Sequence, residues 1–239
     1  MKKMVTDIVP ELLEKIQRDF NKLFKQNKKL QQIQEMIDNG TATYKQANEY
    51  AIEVGEMLAS VFEIHIKSEA LPDGKMYFNI AERILNPTLS NNHKIVAQVS
   101  AEIQEQLNKS IGLGLKGIEP KINQFRIDSI INRIDAEEVF DDVSWILAEP
   151  VVNFTQSVVD DTIKENVKFQ GESGLYPKVI RVVHGSDPCN WCRSLAGIYK
   201  YPDVPDDVYK RHDRCRCTVE YVPGDARRKN VWTKEWGGS

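Results

Sequence analysis

The first 188 residues of this 239-residue chain contain no cysteine, and no long apolar run occurs anywhere in the sequence. A helix that crosses a bilayer needs roughly 20 consecutive apolar residues, so the sequence predicts no membrane span. The opening residues, Met1–Val5, lead directly into polar, helix-forming sequence, and we therefore expect no secretory signal peptide. Disulfides are rare in chains that are not exported, because such chains stay in a reducing compartment.

Two motifs that would indicate catalysis on nucleotides or bases are also missing. The glycine-rich stretch 112–117 follows no strand pattern and has no Gly-Lys-Ser/Thr ending. A hinge between helices is therefore a better interpretation than a phosphate-binding loop. Zinc-dependent nucleobase deaminases need a His-x-Glu motif upstream of Pro-Cys-x-x-Cys. No glutamate stands two positions after His65, His93 or His184, so deamination is not expected.

What the sequence does contain is a cluster of metal-ligand residues near its C-terminus. All four cysteines lie there, as Cys189-x-x-Cys192 and Cys215-x-Cys217, and His212 stands three residues before Cys215. Thiolates at these spacings converge easily on one tetrahedral ion. We predict a structural zinc site formed by the four cysteines, in which His212 can replace Cys215 or Cys217. Two disulfides, or reduced thiols that only pack, are the alternatives.

The cysteine spacing fits catalytic sites less well. A thioredoxin-like site needs Cys-x-x-Cys at the start of a helix, but Leu195-Ala196-Gly197 ends any helix soon after Cys192. His212-Asp213 suggests a metal-dependent nuclease, yet His212 is better used as a zinc ligand or as its support. Zinc held by four protein ligands has no open position for water or substrate. We therefore predict no enzymatic activity.

The last third of the chain, from near Pro150 to near Gly224, resembles a known family. Its motifs occur in the order of the C-terminal signature of Mu F-like phage minor head (head morphogenesis) proteins. Asp213 stands where many members of that family have proline. The motifs that carry the resemblance are Gly174-Leu175-Tyr176-Pro177-Lys178, Asp187-Pro188-Cys189-Asn190-Trp191-Cys192, Leu195-Ala196-Gly197 and His212-Asp213-Arg214-Cys215-Arg216-Cys217.

The resemblance implies a minor structural protein of a phage or prophage head. Such a protein would act in procapsid assembly and in genome packaging or delivery near the portal vertex. Its partners would be the portal, other head proteins and DNA, and it would reside in the virion head after assembly in the host cytoplasm. The helical body could also form a homo-oligomer. The alternative is an effector or toxin-like enzyme domain carried by a head protein, for example a nuclease.

Charge is distributed unevenly along the chain, whose net charge is −3. Residues 1–174 hold 20 Lys/Arg against 27 Asp/Glu, a balance of −7, and residues 175–239 hold 12 against 8, a balance of +4. A basic region on an acidic body suggests separate partners for the two parts. Six basic residues are predicted to meet DNA, without sequence preference, or an acidic partner surface: Arg193, Arg214, Arg216, Arg227, Arg228 and Lys229. The acidic pairs Asp141-Asp142, Asp160-Asp161 and Asp206-Asp207 are expected to be solvated.

Hydrophobic periodicity predicts a mainly α fold with a small C-terminal α+β, zinc-ribbon-like module. The predicted division is a multi-helix body over 1–149, a Mu F-like module over 150–224 and a basic, aromatic tail over 225–239. In the body, an apolar stripe from Ile8 to Ile37 predicts one long helical run, and Asn86-Pro87 is expected to end a short helix. A helix from Pro150 to near Phe169 should precede a linker at Gly171–Gly174. Three strands are predicted, near 178–183, 198–201 and 218–222.

Overall fold

The computed structural model describes residues 7–184, 188–212 and 214–224. Within them lie seven α-helices and one three-stranded sheet, so the predicted mainly α fold is confirmed. Short 3₁₀ turns connect several of these elements, at 68–70, 72–74, 140–142, 144–147 and 206–209. The helices and strands, in chain order, are α1 (Val9–Gln26), α2 (Lys28–Asp38), α3 (Tyr44–His65), α4 (Phe78–Ser110), α5 (Gln124–Asp135), α6 (Glu149–Glu172), β1 (Lys178–Val182), α7 (Asn190–Ser194), β2 (Gly197–Lys200) and β3 (Thr218–Val222).

The first helical stripe is divided in two, which corrects the prediction of one run. The break lies at Asn27, whose extended backbone ends α1 and whose Oδ1 accepts the Leu30 N–H at 3.0 Å. A side-chain acceptor at this position satisfies a donor that the first turn of a helix leaves unpaired. The same logic starts α3, where Thr43 and Gln46 form a capping box.

Pro87 does not end a helix, and that prediction is wrong: α4 runs through it from Phe78 to Ser110. Proline lacks the N–H that would bond the carbonyl four residues back, and an isolated helix would break or kink there. Ile84 and Leu89, on either side of the proline, are completely buried, and Thr88 Oγ1 donates to the Ile84 carbonyl at 2.7 Å. Packing of these side chains therefore outweighs the missing hydrogen bond.

The three predicted strands are confirmed and form an antiparallel sheet in the order β2-β1-β3. Val179 of the central strand pairs with Tyr199 on one side and Tyr221 on the other. The sheet packs through β3 on α3 and α6. Val179, Val208 and Val219 are fully buried in the same apolar cluster as the helices, so one core is continuous from the helical body into the sheet.

Helix α6 extends beyond its predicted end and takes in Gly171 and Glu172, so half of the predicted linker is helical. Gly171 lies against a neighbouring ring, because a Cβ there would be 2.2 Å from the Tyr201 side chain. The turn follows at Ser173 and Gly174, where the glycine has a φ of 82° that favours a residue without a side chain. No helix in the described ranges is both long and apolar enough to cross a membrane.

Candidate metal centre

The cysteines and His212 are brought together by one short helix and by the chain that enters β3. Cys189 is the residue before α7, and its sulfur accepts the Cys192 N–H at 3.4 Å. Cys192 lies in the single short turn of α7, which ends at Ser194 and gives way to β2. From the other side, the segment before β3 contributes His212, Cys215 and Cys217.

The ligand atoms of these five residues form two groups of three that share Cys192. Cys189, Cys192 and His212 form one group and Cys192, Cys215 and Cys217 the other, with the ligand atoms of each group within 4.8 Å of one another. His212 Nε2 lies 2.9 Å from Cys192 Sγ and 3.4 Å from Cys189 Sγ. Cys192 Sγ and Cys215 Sγ are 3.9 Å apart.

These separations suit a tetrahedral metal ion. With sulfur at about 2.3 Å and nitrogen at about 2.0 Å from zinc, two tetrahedral ligands lie roughly 3.5–3.8 Å apart. The sulfur–sulfur distance and the longer of the two sulfur–nitrogen distances are close to those values. The cluster can therefore hold a metal ion, with Cys192 as the ligand common to both groups.

All four thiols are free, and no disulfide joins them. The 3.9 Å between Cys192 and Cys215 is far from the roughly 2.05 Å of a sulfur–sulfur bond. Cys192, Cys215 and Cys217 are each about 2% exposed and pack against Val183 and Trp191, whereas Cys189 is exposed. The Trp191 ring also meets the His212 ring edge-on, with centroids 5.7 Å apart. The centre thus has a dry interior, and Cys189 faces solvent.

The buried thiols differ in acidity. Burial raises the pKa of Cys192 well above its ordinary value, and its thiol neighbours Cys217 and Cys215 raise it further. Burial acts in the same direction on Cys217, but hydrogen bonds from the His184 backbone, Cys192 and Cys215 leave the pKa of Cys217 lowered. His184 thus supports Cys217 through its backbone. Its ring meets Thr218 Oγ1 at 3.0 Å and belongs to neither ligand group.

The polar side of α6 holds the His212–Cys217 segment against the helical body. Asn153 Nδ2 donates to the His212 carbonyl at 3.2 Å. Gln156 follows three residues later on the same helix. With its amide nitrogen facing the Cys215 carbonyl, Gln156 donates to that carbonyl at 3.2 Å and accepts from Arg211. These hydrogen bonds fix the backbone on which two of the candidate ligands stand.

A buried ion pair completes this attachment. Arg211 Nε and Nη2 donate to the two carboxylate oxygens of Asp160 at 2.5 and 2.9 Å, and both side chains are completely buried. Arg211 also donates to the Cys217 carbonyl at 2.8 Å and to Asn48 Oδ1 of α3 at 3.0 Å. The expectation that Asp160-Asp161 is a solvated pair is therefore wrong. Burial, and then the charge of Asp160, raise the pKa of Asp161 to about 6.

A second arginine, Arg181 of β1, reaches the cluster from the opposite side. It is 2% exposed. Its guanidinium donates to the Val208 carbonyl at 2.8 Å and to the Lys210 carbonyl at 3.1 Å. The same nitrogen that reaches Lys210 lies 3.6 Å from Cys215 Sγ. A cation therefore stands directly against one of the candidate metal ligands.

The six basic residues predicted to bind a partner have different environments. Arg193 and Arg214 are exposed. Arg216 donates two hydrogen bonds to Glu149, at 3.0 and 2.9 Å, and is therefore committed within the chain. Arg227, Arg228 and Lys229 lie outside the described residues.

A groove of about 390 Å³ lies beside the centre and reaches His212. Ile130, Pro150 and Phe154 supply apolar walls, and the exposed Trp145 and the half-buried Arg126 stand at its side. No cysteine, aspartate or glutamate is among its lining residues in the described part of the chain. The groove therefore offers no carboxylate base next to the centre.

Sequence reasoning missed the residues that support the ligands: Arg181, Arg211, Asp160 and Asn153. One signal was available, since Asn153, Gln156 and Asp160 recur at three- and four-residue steps within an apolar helix. A polar stripe of this kind is found on exposed helix faces as often as on buried ones. Only the packing of residues 211–217, which are distant in sequence, shows that this face of α6 is buried.

Comparisons with known protein families, with curated proteins and with solved structures found no match for this chain.

Proposed function

We propose that the cysteine cluster binds a single structural zinc ion. The observation that carries this proposal is the convergence of thiol sulfurs and the His212 ring nitrogen, with the Cys189–His212 and Cys192–Cys215 separations close to tetrahedral values. Thiolate with imidazole is a donor set typical of zinc, and four protein ligands make such a site structural. Without a metal, the buried thiols would form only a weakly polar cluster. With zinc bound, the ion would connect α7 to the segment that precedes β3.

Cys192 belongs to every plausible ligand set, because both groups of three contain it. The proposed set is Cys189, Cys192, Cys215 and Cys217, with His212 as the residue that can take the place of one cysteine. The 3.4 Å between His212 Nε2 and Cys189 Sγ, close to a tetrahedral ligand separation, supports a set that includes the histidine. Four of the five residues are then ligands, and single substitutions to serine or alanine should identify one residue whose loss leaves the zinc content unchanged.

We propose, at the level of the whole protein, a non-catalytic minor head component of a phage or prophage. The order of the motifs between Gly174 and Cys217 supports this proposal, together with a mainly helical body and a closed metal centre. The role is in procapsid assembly and in the packaging or delivery of the genome, with portal protein as the main partner. DNA is a second partner, bound without sequence preference through exposed basic residues such as Arg193 and Arg214.

Purification separates these proposals from one another. A preparation made without chelator should contain about one zinc ion per chain by elemental analysis. The tagged chain, recovered from cells that assemble phage heads, should carry portal protein with it and should appear in purified particles. Recovery without any head protein, or turnover of a nucleic-acid substrate that one point substitution abolishes, would contradict the head role while leaving the zinc result intact.

DNA binding has a separate test with a control inside the chain. Gel shifts at low salt should show weak, sequence-independent retention that falls as salt rises. Arg193→Ala with Arg214→Ala should reduce the salt slope by about one for each phosphate that the protein no longer neutralises. Arg216→Ala is the matched control, because its guanidinium already pairs with Glu149. Equal effects of the two changes would contradict the assignment of the exposed pair.

A further inference from the structure

Arg181 is a buried cation with no carboxylate in ion-pair contact among the described residues. Arg181 Nη1 donates to the Val208 carbonyl and Nη2 to the Lys210 carbonyl, and the Nε has no hydrogen-bond partner. No aspartate or glutamate of the described residues forms an ion pair with it. An unpaired buried charge is strongly unfavourable, so buried arginines are normally matched by an anion. The nearest group that can carry negative charge is Cys215 Sγ, at 3.6 Å.

The charged groups around Asp160, of which Arg126 and Asp161 are only half-buried, leave Arg181 in excess. Asp160 experiences the fields of Arg126, Arg181 and Arg211, and Asp161 stands beside it. Three positive charges against two negative charges give a balance of +1. Arg211 is consumed by its two hydrogen bonds to Asp160, so the surplus charge lies at the cysteine cluster.

A filled zinc centre supplies the missing negative charge. Zinc with three thiolates and a neutral histidine carries a net charge of −1, and zinc with four thiolates carries −2. The thiolate, not the thiol, is the form that binds metal, so Cys215 is anionic only when it is ionised or coordinated. The surplus charge of +1 balances the whole net charge of the zinc set that includes His212, and half of the net charge of the four-cysteine set.

We propose that Arg181 is the built-in counter-charge of the zinc centre and a positioning residue for Cys215. The proposal rests on the zinc site proposed above. Arg181 joins three parts of the region: strand β1 that carries it, the carbonyls at 208 and 210, and the ligand at 215. Zinc binding would thereby favour the observed conformation of residues 208–215, the segment that contains His212.

The test compares charge with packing at one position. Arg181→Gln keeps a hydrogen-bond donor but removes the charge, and Arg181→Lys keeps the charge on a different donor. Zinc affinity is measured for the full chain by competition with a chromophoric chelator at fixed pH. Loss of a residue that supports a metal ligand typically lowers affinity about 10- to 100-fold, and we expect this for Arg181→Gln. Arg181→Lys should retain most of the affinity, and Arg83→Gln, exposed on α4 and paired with Asp7, should leave it unchanged.

A second readout separates the counter-charge from an ordinary packing role. The urea midpoint is measured for each variant with and without zinc. In the zinc-free protein, Arg181→Gln should be no less stable than the parent, because it removes a buried cation without an anion. The gain in stability on adding zinc should be smaller for that variant. A packing role would instead lower both midpoints equally.

Three results would overturn the proposal. The first is equal zinc affinity of Arg181→Gln and the parent, and the second is equal weakening by Gln and Lys. If Arg181→Gln does not fold, the zinc content of folded Arg181→Lys decides between the two roles. Loss of zinc from that variant is the third result that would overturn the proposal. A parent protein that binds no zinc at all would instead remove the zinc site itself, and this inference with it.

Discussion

The helical body and the cysteine region, which comprises the described residues from 178 to 222, are stabilised by different forces. In the body, completely buried side chains such as Val54, Phe62, Ile84 and Ile103 form one apolar core. In the cysteine region several valines and two tyrosines join that core, whereas the interior around the candidate ligands consists of three thiols and two buried arginines, Arg181 and Arg211. Apolar burial changes little with redox state or metal supply, whereas thiols and charges respond to both.

The contrast predicts that the cysteine region is conditionally stable and the body is not. A sheet of three short strands buries too little apolar surface to fold alone, so zinc and attachment to α6 must supply the remainder. The attachment uses polar groups, chiefly Asp160 with Arg211. Each prediction below tests one side of this contrast.

The largest effect is expected from Cys192→Ser, which removes the ligand shared by both groups of three. Zinc should be lost, and amide hydrogens of β1, β2 and β3 should exchange much faster, because the binding free energy of structural zinc is folding free energy. The far-UV helix signal should remain. Cys189→Ser is the matched control, since Cys189 is exposed and belongs to one group only, and its effect should be smaller. Loss of helix signal throughout the chain would show that the two regions unfold as one unit.

The next effect concerns the attachment between the regions. Asp160→Asn leaves Arg211 buried without its carboxylate, and breaking a buried pair in this way costs about 3–5 kcal/mol. The double change Asp160→Leu with Arg211→Met removes both charges and should cost less than the single change, as measured by urea unfolding. If the cost of the double change equalled the sum of the costs of Asp160→Leu and Arg211→Met, each measured alone, the two side chains would not interact.

Periodicity predicted the helical body because a helix buries every third or fourth residue, and Val54, Met57, Leu58 and Val61 follow that rule on α3. The helix-breaking signal of Asn86-Pro87 was wrong, because packing against distant segments outweighed that local preference. Periodicity failed at Asn27, where a side-chain cap ended a helix inside a continuous apolar stripe. Local patterns therefore gave the existence of the helices better than their ends.

The candidate metal centre was predictable in its ligands but not in its supports. The spacing of Cys189, Cys192, Cys215 and Cys217 carries the chemistry in the sequence itself. Arg181 lies in a β-branched strand and is 34 residues from Cys215, so no short-range pattern connects them. Charge pairs such as Asp160-Asp161 are usually solvated, and only the position of Arg211 shows that this one is not.

A third prediction tests the body by itself. Ile103, completely buried on α4, should cost about 2–5 kcal/mol when replaced by alanine, because the removed methylene groups leave a cavity. The cost should be the same in zinc-loaded and zinc-stripped protein, as measured by urea unfolding of the helix signal. A cost that falls after zinc removal would show that the metal centre helps to pack the body.

The smallest effect is a pH dependence at Asp161, beside the buried pair. Its pKa is about 6 in the folded protein, against an ordinary value of 3.8, because of burial first and the charge of Asp160 second. Arg126 and Lys164 act against this rise, and Glu165 adds to it. Between pH 4 and 6 the folded protein therefore holds a proton that the unfolded chain has lost, so this group's contribution to stability falls as pH rises.

Asp161→Asn removes that dependence. The variant should be more stable than the parent by about 1 kcal/mol at pH 7.5, a value reduced for partial exposure to solvent. The two proteins should converge towards pH 4, where the parent carboxyl is protonated in the folded state. Asp141→Asn is the control, since Asp141 is exposed, and it should show no such trend. If the difference in unfolding free energy between Asp161→Asn and the parent did not change with pH, the charge of Asp161 would not weaken the attachment of the cysteine region. The contrast between the apolar body and the condition-dependent cysteine region would then depend on the metal alone.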